Sequence, residues 1–424
     1  MAQRAGSLRS LMRGNILVLT VSRVIWSMSN SIVYPYLSLY ILELGGSKPV
    51  IGLVNALGGL AGLFLYPVGG YIADKSGRAR LVGLATFLYA SSFLLFIFAP
   101  SWQWLAVGIA YQQIALFYMP ALNAIMADSI PVGARGRVLS LTMAIPEAVR
   151  ILIPYIGGWL IVVYTLRPAM RLGYALSFAM AIVVAFMRFR YLKETIENGS
   201  GIGWDVPRIF RESYGDIFAS IRWVLGNLRG YAVMAVLLIF ISSIVQPFWI
   251  VYANEVIGLS AYDWGAILLV SGVVKTAVSM AVGGLVDRLG ARKCMLVALV
   301  LAIPTVVAFT LARSFDQALV VYMSLVVSNA FLWIASNVLL ADTIPRATRG
   351  RVMATLGQGI GVGISGGGYA QGFLLFIPAT IGSFVGGYIY ESSPSLPWLI
   401  QATVLALGMA LVFAFVREPE RREA

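Results

Sequence analysis

Four ionisable residues interrupt the long apolar stretches of this sequence and are its first candidates for chemistry: Arg23, Glu147, Arg150 and Lys275. Placing a charge in an apolar environment is costly unless the charge is paired, so charged residues in such stretches commonly have a function. Glu147 and Arg150 are three residues apart, which puts both side chains on one face of a helix. Glu147 is therefore a candidate for reversible protonation, and also for a structural ion pair with Arg150 or Arg23.

The residue types that are missing exclude other kinds of site. The sequence has no histidine and a single cysteine, Cys294. This removes histidine proton relays, intrachain disulfides, cysteine-based metal sites and the Ser/His/Asp and Cys/His catalytic groups. We therefore expect no bound metal, no cofactor and no enzymatic activity.

The elements that must hold these charges are membrane spans. Of the 424 residues, 59% are hydrophobic and 12% are charged, whereas a soluble domain carries about 25% charged residues. A spanning helix needs about 20 apolar residues, so the composition predicts an all-α integral membrane protein with about twelve transmembrane helices. The apolar runs place these helices at 15–42, 50–73, 81–99, 103–127, 138–164, 171–188, 231–254, 263–286, 294–312, 316–341, 372–391 and 397–416.

Lysine and arginine residues are distributed unequally between the two sides of these spans. The side that holds both termini carries 24 of them, the opposite side carries four, and three lie inside spans. Positive charge collects in cytoplasmic loops, so we expect a multi-pass protein of the cell membrane with both termini in the cytoplasm. The net charge of +13 follows from this distribution and does not indicate a nucleic-acid partner.

One long polar stretch divides the chain into six spans and six. We expect an N-terminal six-helix bundle at 1–188, a cytoplasmic linker at 189–230 and a C-terminal six-helix bundle at 231–424. Within the linker, apolar residues recur every three or four positions from Phe210 to Leu228. This spacing predicts an amphipathic helix on the inner membrane surface.

The two halves of the sequence repeat each other at offsets of 212 to 214 residues. Three pairs of segments match: 31–43 with 243–255, 70–80 with 283–293, and 128–138 with 342–352. Because each half has six spans, the halves have the same topology and are related by a pseudo-two-fold axis along the membrane normal. This is the parallel repeat of transporters whose substrate site lies between the halves near the membrane midplane.

The repeated loop between spans 2 and 3 resembles the signature loop of the Major Facilitator Superfamily of secondary transporters. It reads Gly70-x-x-x-Asp74-Lys75-x-Gly77-Arg78, with a degenerate copy between spans 8 and 9. The resemblance covers essentially the full chain. It implies that the loop contacts span 11 and the span 4–5 loop and holds the cytoplasmic side shut, with Asp74 as a latch and Gly77 in a tight turn. The implied gating residues are Gly70, Asp74, Lys75, Gly77, Arg78, Arg135, Arg137, Asp287, Arg288, Gly290, Arg349 and Arg351.

The same resemblance implies that spans 1, 4, 7 and 10 line a substrate cavity. The four intramembrane charges would then converge from different spans, and Pro35 and Pro247, at matching positions, would break spans 1 and 7. Aromatic and amide side chains on the lining spans suit amphiphilic organic solutes, although amides in spans also join helices. The candidate cavity residues are Trp26, Asn30, Tyr34, Gln112, Gln113, Asn123, Gln246, Trp249, Asn329, Trp333 and Asn337.

These residues favour a secondary active transporter that moves a small organic solute by alternating access. Glu147 would exchange protons against a drug or metabolite during export. Span 5 gives partial support, because Pro154 and the pair Gly157-Gly158 match a motif of drug–proton antiporters that has two further glycines. The alternative is a carrier for an organic or phosphorylated anion, bound by Arg23, Arg150 and Lys275. A non-transporting membrane sensor is a remote alternative. The expected partners are the solute, protons and the lipid bilayer, and the expected state is a monomer.

A glycine-rich insertion precedes span 11. The distance from Arg351 to Gly386 is 15 residues longer than the equivalent distance from Arg137 to Gly157, and the extra residues include seven glycines between 357 and 368. The composition is typical of a flexible loop or the broken start of a helix. The sequence leaves open whether it is a hinge or a passive insertion.

Overall fold

The computed structural model describes residues 12–75, 77–131, 134–195, 206–345, 349–357, 359–364 and 372–416. Every regular element in these ranges is helical. In the same ranges, twelve helical segments are long and apolar enough to span a membrane, which confirms the predicted all-α class. They are numbered in chain order as spans 1 to 12: Asn15–Glu43, Lys48–Leu65, Arg78–Ile97, Trp102–Ser129, Val138–Tyr164, Leu166–Tyr191, Arg229–Ile257, Ala261–Leu289, Ala291–Leu311, Phe315–Thr343, Phe373–Ser392 and Leu396–Phe415.

Most span boundaries agree with the sequence prediction to within a few residues, but span 6 is longer at both ends. The prediction stopped it at 171 and 188 because arginines stand there, whereas the helix runs from Leu166 to Tyr191. Span 2 also continues as a helix beyond its apolar segment, to Lys75. Charged residues near the ends of spans are therefore part of the helices in this protein.

Spans 1 and 7 break at matching points of the repeat. Each changes to a single turn of 3-10 helix, at Tyr34–Tyr36 and at Gln246–Phe248, around Pro35 and Pro247. Proline has no N–H to donate, and its ring clashes with the preceding turn of an α-helix. The predicted helix breaks are confirmed. A further 3-10 turn, which the sequence analysis did not predict, interrupts span 4 at Leu116–Tyr118.

The signature loop and its degenerate copy share one backbone feature. Gly77 has φ 87° and Gly290 has φ 90°, and each residue directly precedes the first helical residue of the next span, Arg78 and Ala291 respectively. Residues with a side chain rarely adopt this left-handed region, so glycine is favoured at both turns. The tight turn predicted at Gly77 is confirmed.

The chain forms two compact units, and each includes part of spans 1 and 2. One unit contains Met1–Tyr34 and Ala61–Tyr214, and the other contains Pro35–Leu60 and Gly215–Ala424. The division of span 1 coincides with its 3-10 turn. Residues 35–60 therefore pack with spans from the second half of the sequence.

The predicted linker helix is present as Val206–Asn227. Its Val224 is fully buried, whereas Phe218 and Leu225 are 64% and 50% exposed. The Tyr214 hydroxyl donates to the backbone carbonyls of Leu63 and Phe64 in span 2, at 3.2 and 3.0 Å. Partial burial there raises the pKa of Tyr214, which keeps the hydroxyl protonated as a donor. The helix thus contacts the protein while it leaves large apolar side chains exposed.

Candidate functional site

Glu147 and Arg150 form an ion pair on span 5, next to the point where that span is interrupted. The Arg150 Nη2 atom lies 2.8 Å from the Glu147 Oε1 atom, and the two side chains are 36% and 39% exposed. Span 5 is formed by the helix Arg135–Arg150, whose first turn precedes the span, and the helix Ile153–Tyr164, with a turn between them. Pro154 lies in the first turn of the second helix. It has no backbone N–H to donate to a carbonyl of the preceding helix. The three-residue spacing therefore produces the predicted contact on one helix face.

Span 1 packs against span 5 beside this pair. The Ser27 hydroxyl donates to the backbone carbonyl of Pro146 at 3.2 Å. Pro146 directly precedes Glu147, so the turn that carries the carboxylate is fixed against span 1.

Arg23 contacts span 4 instead of the carboxylate. Its Nη2 atom lies 3.5 Å from the Asn123 Oδ1 atom, at the limit of a hydrogen bond. Its charged neighbour is a second arginine, Arg188 of span 6. Glu147 pairs with Arg150, Arg23 lies near Arg188, and Lys275 belongs to the other compact unit.

Arg188 is a candidate site residue that the sequence analysis missed, because it stands at the predicted cytoplasmic end of span 6 and was counted with the positive charges of that side. The structure buries its side chain to 2% exposure. Its Nη1 atom donates to the Thr86 and Tyr118 hydroxyls, at 3.1 and 3.0 Å. Its guanidinium carbon lies 5.4 Å from the ring centroid of Trp26 and 5.7 Å from that of Tyr118. The Nε atom has no partner.

The sequence carried one signal for this burial. Small residues recur every four positions along span 6, from Ala169 to Ala185, and Arg188 lies on the same face of the helix. Arg190, two positions later, is exposed at the helix end. The buried residues of that face are Ala169, Met170, Gly173, Tyr174, Ser177, Ala181, Val184, Ala185 and Arg188.

Two predicted cavity residues from span 1, Trp26 and Asn30, are connected to Arg188. The rings of Trp26 and Tyr89 lie 4.0 Å apart between centroids. The Tyr89 hydroxyl donates to the Asn30 Oδ1 atom at 2.9 Å. Trp26, Asn30 and the exposed Asn123 are therefore connected through Arg23, Arg188 and Tyr89.

The remaining predicted cavity residues of the first half lie in other surroundings. Gln112 of span 4 donates from Nε2 to the Ser92 hydroxyl at 3.3 Å, so it joins spans 3 and 4. Gln113 is half-buried, and Tyr34 lies in the 3-10 turn of span 1. These contacts fit the helix-joining role of polar residues in spans.

In the second half, a non-helical segment runs through the interior of the unit. The helix Arg349–Leu356 ends at Gly357, and residues 359–364 have no regular structure. The backbone N–H of Val362 donates to the Asn329 Oδ1 atom at 2.9 Å, and that of Ile360 donates to the Ser336 hydroxyl at 3.1 Å. Backbone outside a helix needs such partners inside a membrane protein, because lipid supplies none.

Donors from two other spans bind the carbonyl groups of this segment. Gln401 of span 12 donates from Nε2 to the Val362 carbonyl at 2.5 Å, and Trp249 of span 7 donates from Nε1 to the Gly363 carbonyl at 2.9 Å. Ile360 and Val362 are both 1% exposed. The described part of the insertion is therefore anchored on three spans and is not a free loop.

The two ends of the insertion meet. A Cβ atom built on Gly357 would lie 3.3 Å from the backbone nitrogen of Gly372, which precedes span 11. The difference from Gly357 to Gly372 is 15 residues, which equals the extra length found in the sequence. The chain therefore leaves the line of span 11 at Gly357 and returns to it at Gly372, so the two ends of the insertion are adjacent. Residues 357–372 are called the glycine loop below; its residues 358 and 365–371 lie outside the described ranges.

This arrangement changes the surroundings of several predicted cavity residues in the second half. Trp249 is fully buried against Phe309, Tyr322 and Trp398. Asn329 binds the glycine loop, and Asn337 lies against Gly359. Trp333 is 42% exposed, and Gln246 is half-buried in the 3-10 turn of span 7.

The signature loop makes contacts within the first unit. Arg78 pairs with Asp128 at the end of span 4, with Nη1 and Oδ2 at 2.6 Å. The backbone N–H of Ala79 donates to the Glu194 Oε2 atom at 2.9 Å, which places a carboxylate at the positive end of the span 3 helix. Asp287 and Arg288, in the second copy, are exposed.

The other predicted gating side chains fall outside the described residues, although their backbones are helical. They are the side chains of Asp74, Lys75, Arg135, Arg137, Arg349 and Arg351, together with the surroundings of Gly70. The gating roles stay predictions. No three His, Cys, Asp or Glu side chains in the described ranges lie close enough together to hold a metal ion.

The repeat has no second copy of the Glu147–Arg150 pair. The alignment that matches Gly157 with Gly386 matches Glu147 with Phe376 and Arg150 with Ala379. The carboxylate therefore belongs to the first half alone.

Comparison with known proteins gives three consistent findings. The model of the Major Facilitator Superfamily matches residues 19–368. Multidrug resistance protein 1 of Bacillus subtilis (strain 168) is 23% identical over 393 residues, which cover 91% of this chain and 92% of the relative. Multidrug resistance protein MdtG of Proteus mirabilis (strain HI4320) is 24% identical over 340 residues, which cover 76% and 80%.

Among solved structures, a bacterial homolog of the human lysosomal transporter Spinster, in an inward-facing and occupied conformation, is similar. It has a TM-score of 0.69 at 17% identity and covers 98% of both chains. At this identity the similarity shows the fold alone.

Proposed function

Because this chain belongs to the Major Facilitator Superfamily, and is thus a membrane transporter and not an enzyme, we propose that it exports small organic solutes in exchange for protons. The names of the two multidrug resistance relatives support export of drug-like solutes. The proposal includes the cell membrane as location, a monomeric state, and cytoplasmic termini, which rest on the lysine and arginine distribution.

The observation that carries the proton coupling is the Glu147–Arg150 ion pair at the interruption of span 5. Protonation of Glu147 would neutralise one partner and release Arg150 from a 2.8 Å contact. The two side chains are 39% and 36% exposed, so neither is enclosed by the protein. A switch of this kind at a helix interruption provides a local change that can bias a larger movement.

Contacts at the predicted outer ends of the spans support alternating access. Within the second unit, the Ser38 hydroxyl donates to the Pro247 carbonyl at 2.7 Å, which joins the breaks of spans 1 and 7. Lys48 forms an ion pair with Glu255 at the adjacent ends of spans 2 and 7. These contacts would have to separate for a solute to leave on that side.

The test is transport by the purified protein in proteoliposomes with an imposed pH gradient, against a panel of cationic, neutral and anionic fluorescent solutes. We expect at least one solute to move against its gradient when the pH gradient is present. Glu147→Gln should keep solute-for-solute exchange and lose transport driven by the pH gradient. Glu391→Gln, at an exposed carboxylate near the end of span 11, is the matched control and should behave as wild type.

Two results would overturn the assignment. Transport by Glu147→Gln that follows the pH gradient as in the wild type would remove Glu147 from the coupling. A variant that loses monodispersity in detergent, while its remaining transport keeps the wild-type pH dependence, would give the ion pair a structural role instead.

A further inference from the structure

Arg188 is an arginine in the interior of a membrane protein whose charge is only partly satisfied. Its side chain is 2% exposed, two of its N–H groups have hydroxyl acceptors, and its Nε atom has none. A guanidinium has five N–H donors and stays charged. A single buried donor without an acceptor already costs about 1–3 kcal/mol, so this environment is costly to maintain.

The described groups in direct contact with Arg188 are neutral. The hydroxyls of Thr86 and Tyr118 accept hydrogen bonds, and the rings of Trp26 and Tyr118 present their negative faces to the guanidinium. Such dipoles and ring faces stabilise a cation but do not cancel its charge. Among the residues that the structure describes, Arg188 makes no ion pair.

Arg23 adds a second positive charge to the same region. Arg23 and Trp26 are three residues apart on span 1, and so Arg23 lies one turn from the ring that covers Arg188. Within the described residues, Arg23 contacts the neutral Asn123 and no carboxylate. Unlike Arg188, Arg23 is partly exposed, and Asn123 is exposed. The region therefore combines a buried cation, an accessible cation and an accessible amide.

We propose that Arg23, supported by the buried charge of Arg188 and next to the exposed amide of Asn123, binds an anionic group of the transported solute, a carboxylate or a phosphate. The inference deepens the proposed function and rests on it for the movement of the solute. Arg23 is the residue that contacts the anion, and Asn123 provides an amide N–H beside it. Arg188 is too buried to touch the solute and is a positioning residue, which holds Trp26 and Tyr118 and adds positive potential.

The neighbouring side chains suit the rest of such a solute. Trp26, which is partly exposed, lies between Arg188 and the buried ring of Tyr89 and can present its free edge to a solute. A binding site of this composition accepts an apolar or aromatic body with an acidic group at one end. The solute class is therefore an amphiphilic organic anion. This develops the anion alternative from the sequence, but it adds Arg188 and uses neither Arg150 nor Lys275.

The electrostatic part can be tested before any solute is known. Asn123→Cys is introduced into a Cys294→Ala background, since Cys294 is the single cysteine of the sequence and is fully buried. Reaction rates are measured with a negatively charged sulfonatoethyl methanethiosulfonate and with the positively charged trimethylammonium analogue. We expect the ratio of anionic to cationic rates to fall about tenfold when Arg23→Gln is added, because one unit charge near the thiol is removed.

Two further variants distinguish an effect of the charge at position 23 from an effect on folding. Arg23→Lys should keep most of the ratio, because it keeps the charge. Arg171→Gln, on the same helix as Arg188 but bound to the Ala99 carbonyl near the other end of span 6, should leave the ratio unchanged. A ratio that Arg23→Gln leaves unaltered in monodisperse protein would overturn the proposal.

Binding of the anion itself is tested with three probes that share one aromatic body: 1-naphthoate, 1-naphthyl phosphate and methyl 1-naphthoate. The acid or the phosphate should slow labelling of Asn123→Cys, and the preferred one identifies the anion class, whereas the neutral ester should not. Equal protection by the ester would overturn the proposal. If the rates respond to Arg23 and to the anions but no solute is transported, the proposed function fails and the anion site stands. If solutes move without any dependence on Arg23, only the anion site fails.

Discussion

The backbone N–H of Val362 donates to the Oδ1 atom of Asn329 at 2.9 Å, and Asn329 stands at the middle of the 29-residue span 10. A residue of the glycine loop thus reaches the mid-depth of a spanning helix. The amide of Asn329 supplies an acceptor that neither lipid nor a regular helix would offer to this N–H. Asn329 therefore stabilises the loop in the structure observed.

Replacement of this amide should destabilise the protein. Asn329→Leu keeps a similar volume but leaves the buried Val362 N–H without an acceptor, at a cost of about 1–3 kcal/mol. The melting temperature of the purified protein should fall. Ser324→Ala is the control, because the Ser324 hydroxyl bonds only to the Val320 carbonyl of its own helix, and it should change the melting temperature little. An unchanged melting temperature in Asn329→Leu would contradict the anchoring role.

A side chain at Gly363 should be more damaging than one at a helical glycine. Gly363 has φ 80°, and an added Cβ would lie 2.5 Å from the Ser242 hydroxyl oxygen and 2.7 Å from its Cα atom. Gly363→Ala combines backbone strain with this clash, so we expect a loss of about 1–3 kcal/mol. Gly283→Ala, where a Cβ meets nothing within 4 Å, should be neutral or slightly stabilising. Thermal unfolding of the two variants should rank them in this order; the reverse order would be inconsistent with the loop path.

Close packing between spans 2 and 11 should control access from the predicted outer side. A Cβ on Gly387 would lie 2.6 Å from the Cα atom of Pro49, so Gly387→Ala should push residues 35–60 away from span 11. The rate at which an impermeant thiol reagent labels Ser38→Cys should then increase, by about tenfold for each 1.4 kcal/mol of destabilised contact.

Gly408→Ala is the matched control for that experiment. Its added Cβ would lie 3.5 Å from a Leu238 methyl carbon, an ordinary contact, so labelling should be as in the parent protein. Equal labelling rates in the Gly387 and Gly408 variants would show that this contact does not limit access.

The orientation proposed from the lysine and arginine distribution can be checked with two cysteines in a Cys294→Ala background. Ser393→Cys, in the exposed connection between spans 11 and 12, should react with an impermeant reagent added outside cells. Arg80→Cys, at an exposed position near the start of span 3, should react only after the membrane is opened. Labelling of both from outside would reject the topology.

The sequence by itself determined the features that depend on local composition and spacing. Apolar length fixed the twelve spans, because any stretch of about 20 apolar residues is long enough to cross the bilayer core as a helix. The internal repeat located the proline breaks of spans 1 and 7 and the glycine turn at Gly77. The spacing of Glu147 and Arg150 predicted their contact, since residues three apart on a helix are neighbours.

Only the tertiary structure decided which charged side chains are buried and which polar side chains already have hydrogen-bond partners. Arg188 has the sequence context of a helix end, yet packing against Thr86, Trp26 and Tyr118 buries it, and this burial depends on side chains distant in sequence. The glycine loop occupies Asn329 and Trp249, which sequence reasoning placed in a cavity. The path of an inserted segment depends on which neighbouring spans can satisfy its backbone, and such long-range hydrogen bonds leave no periodic trace in the sequence.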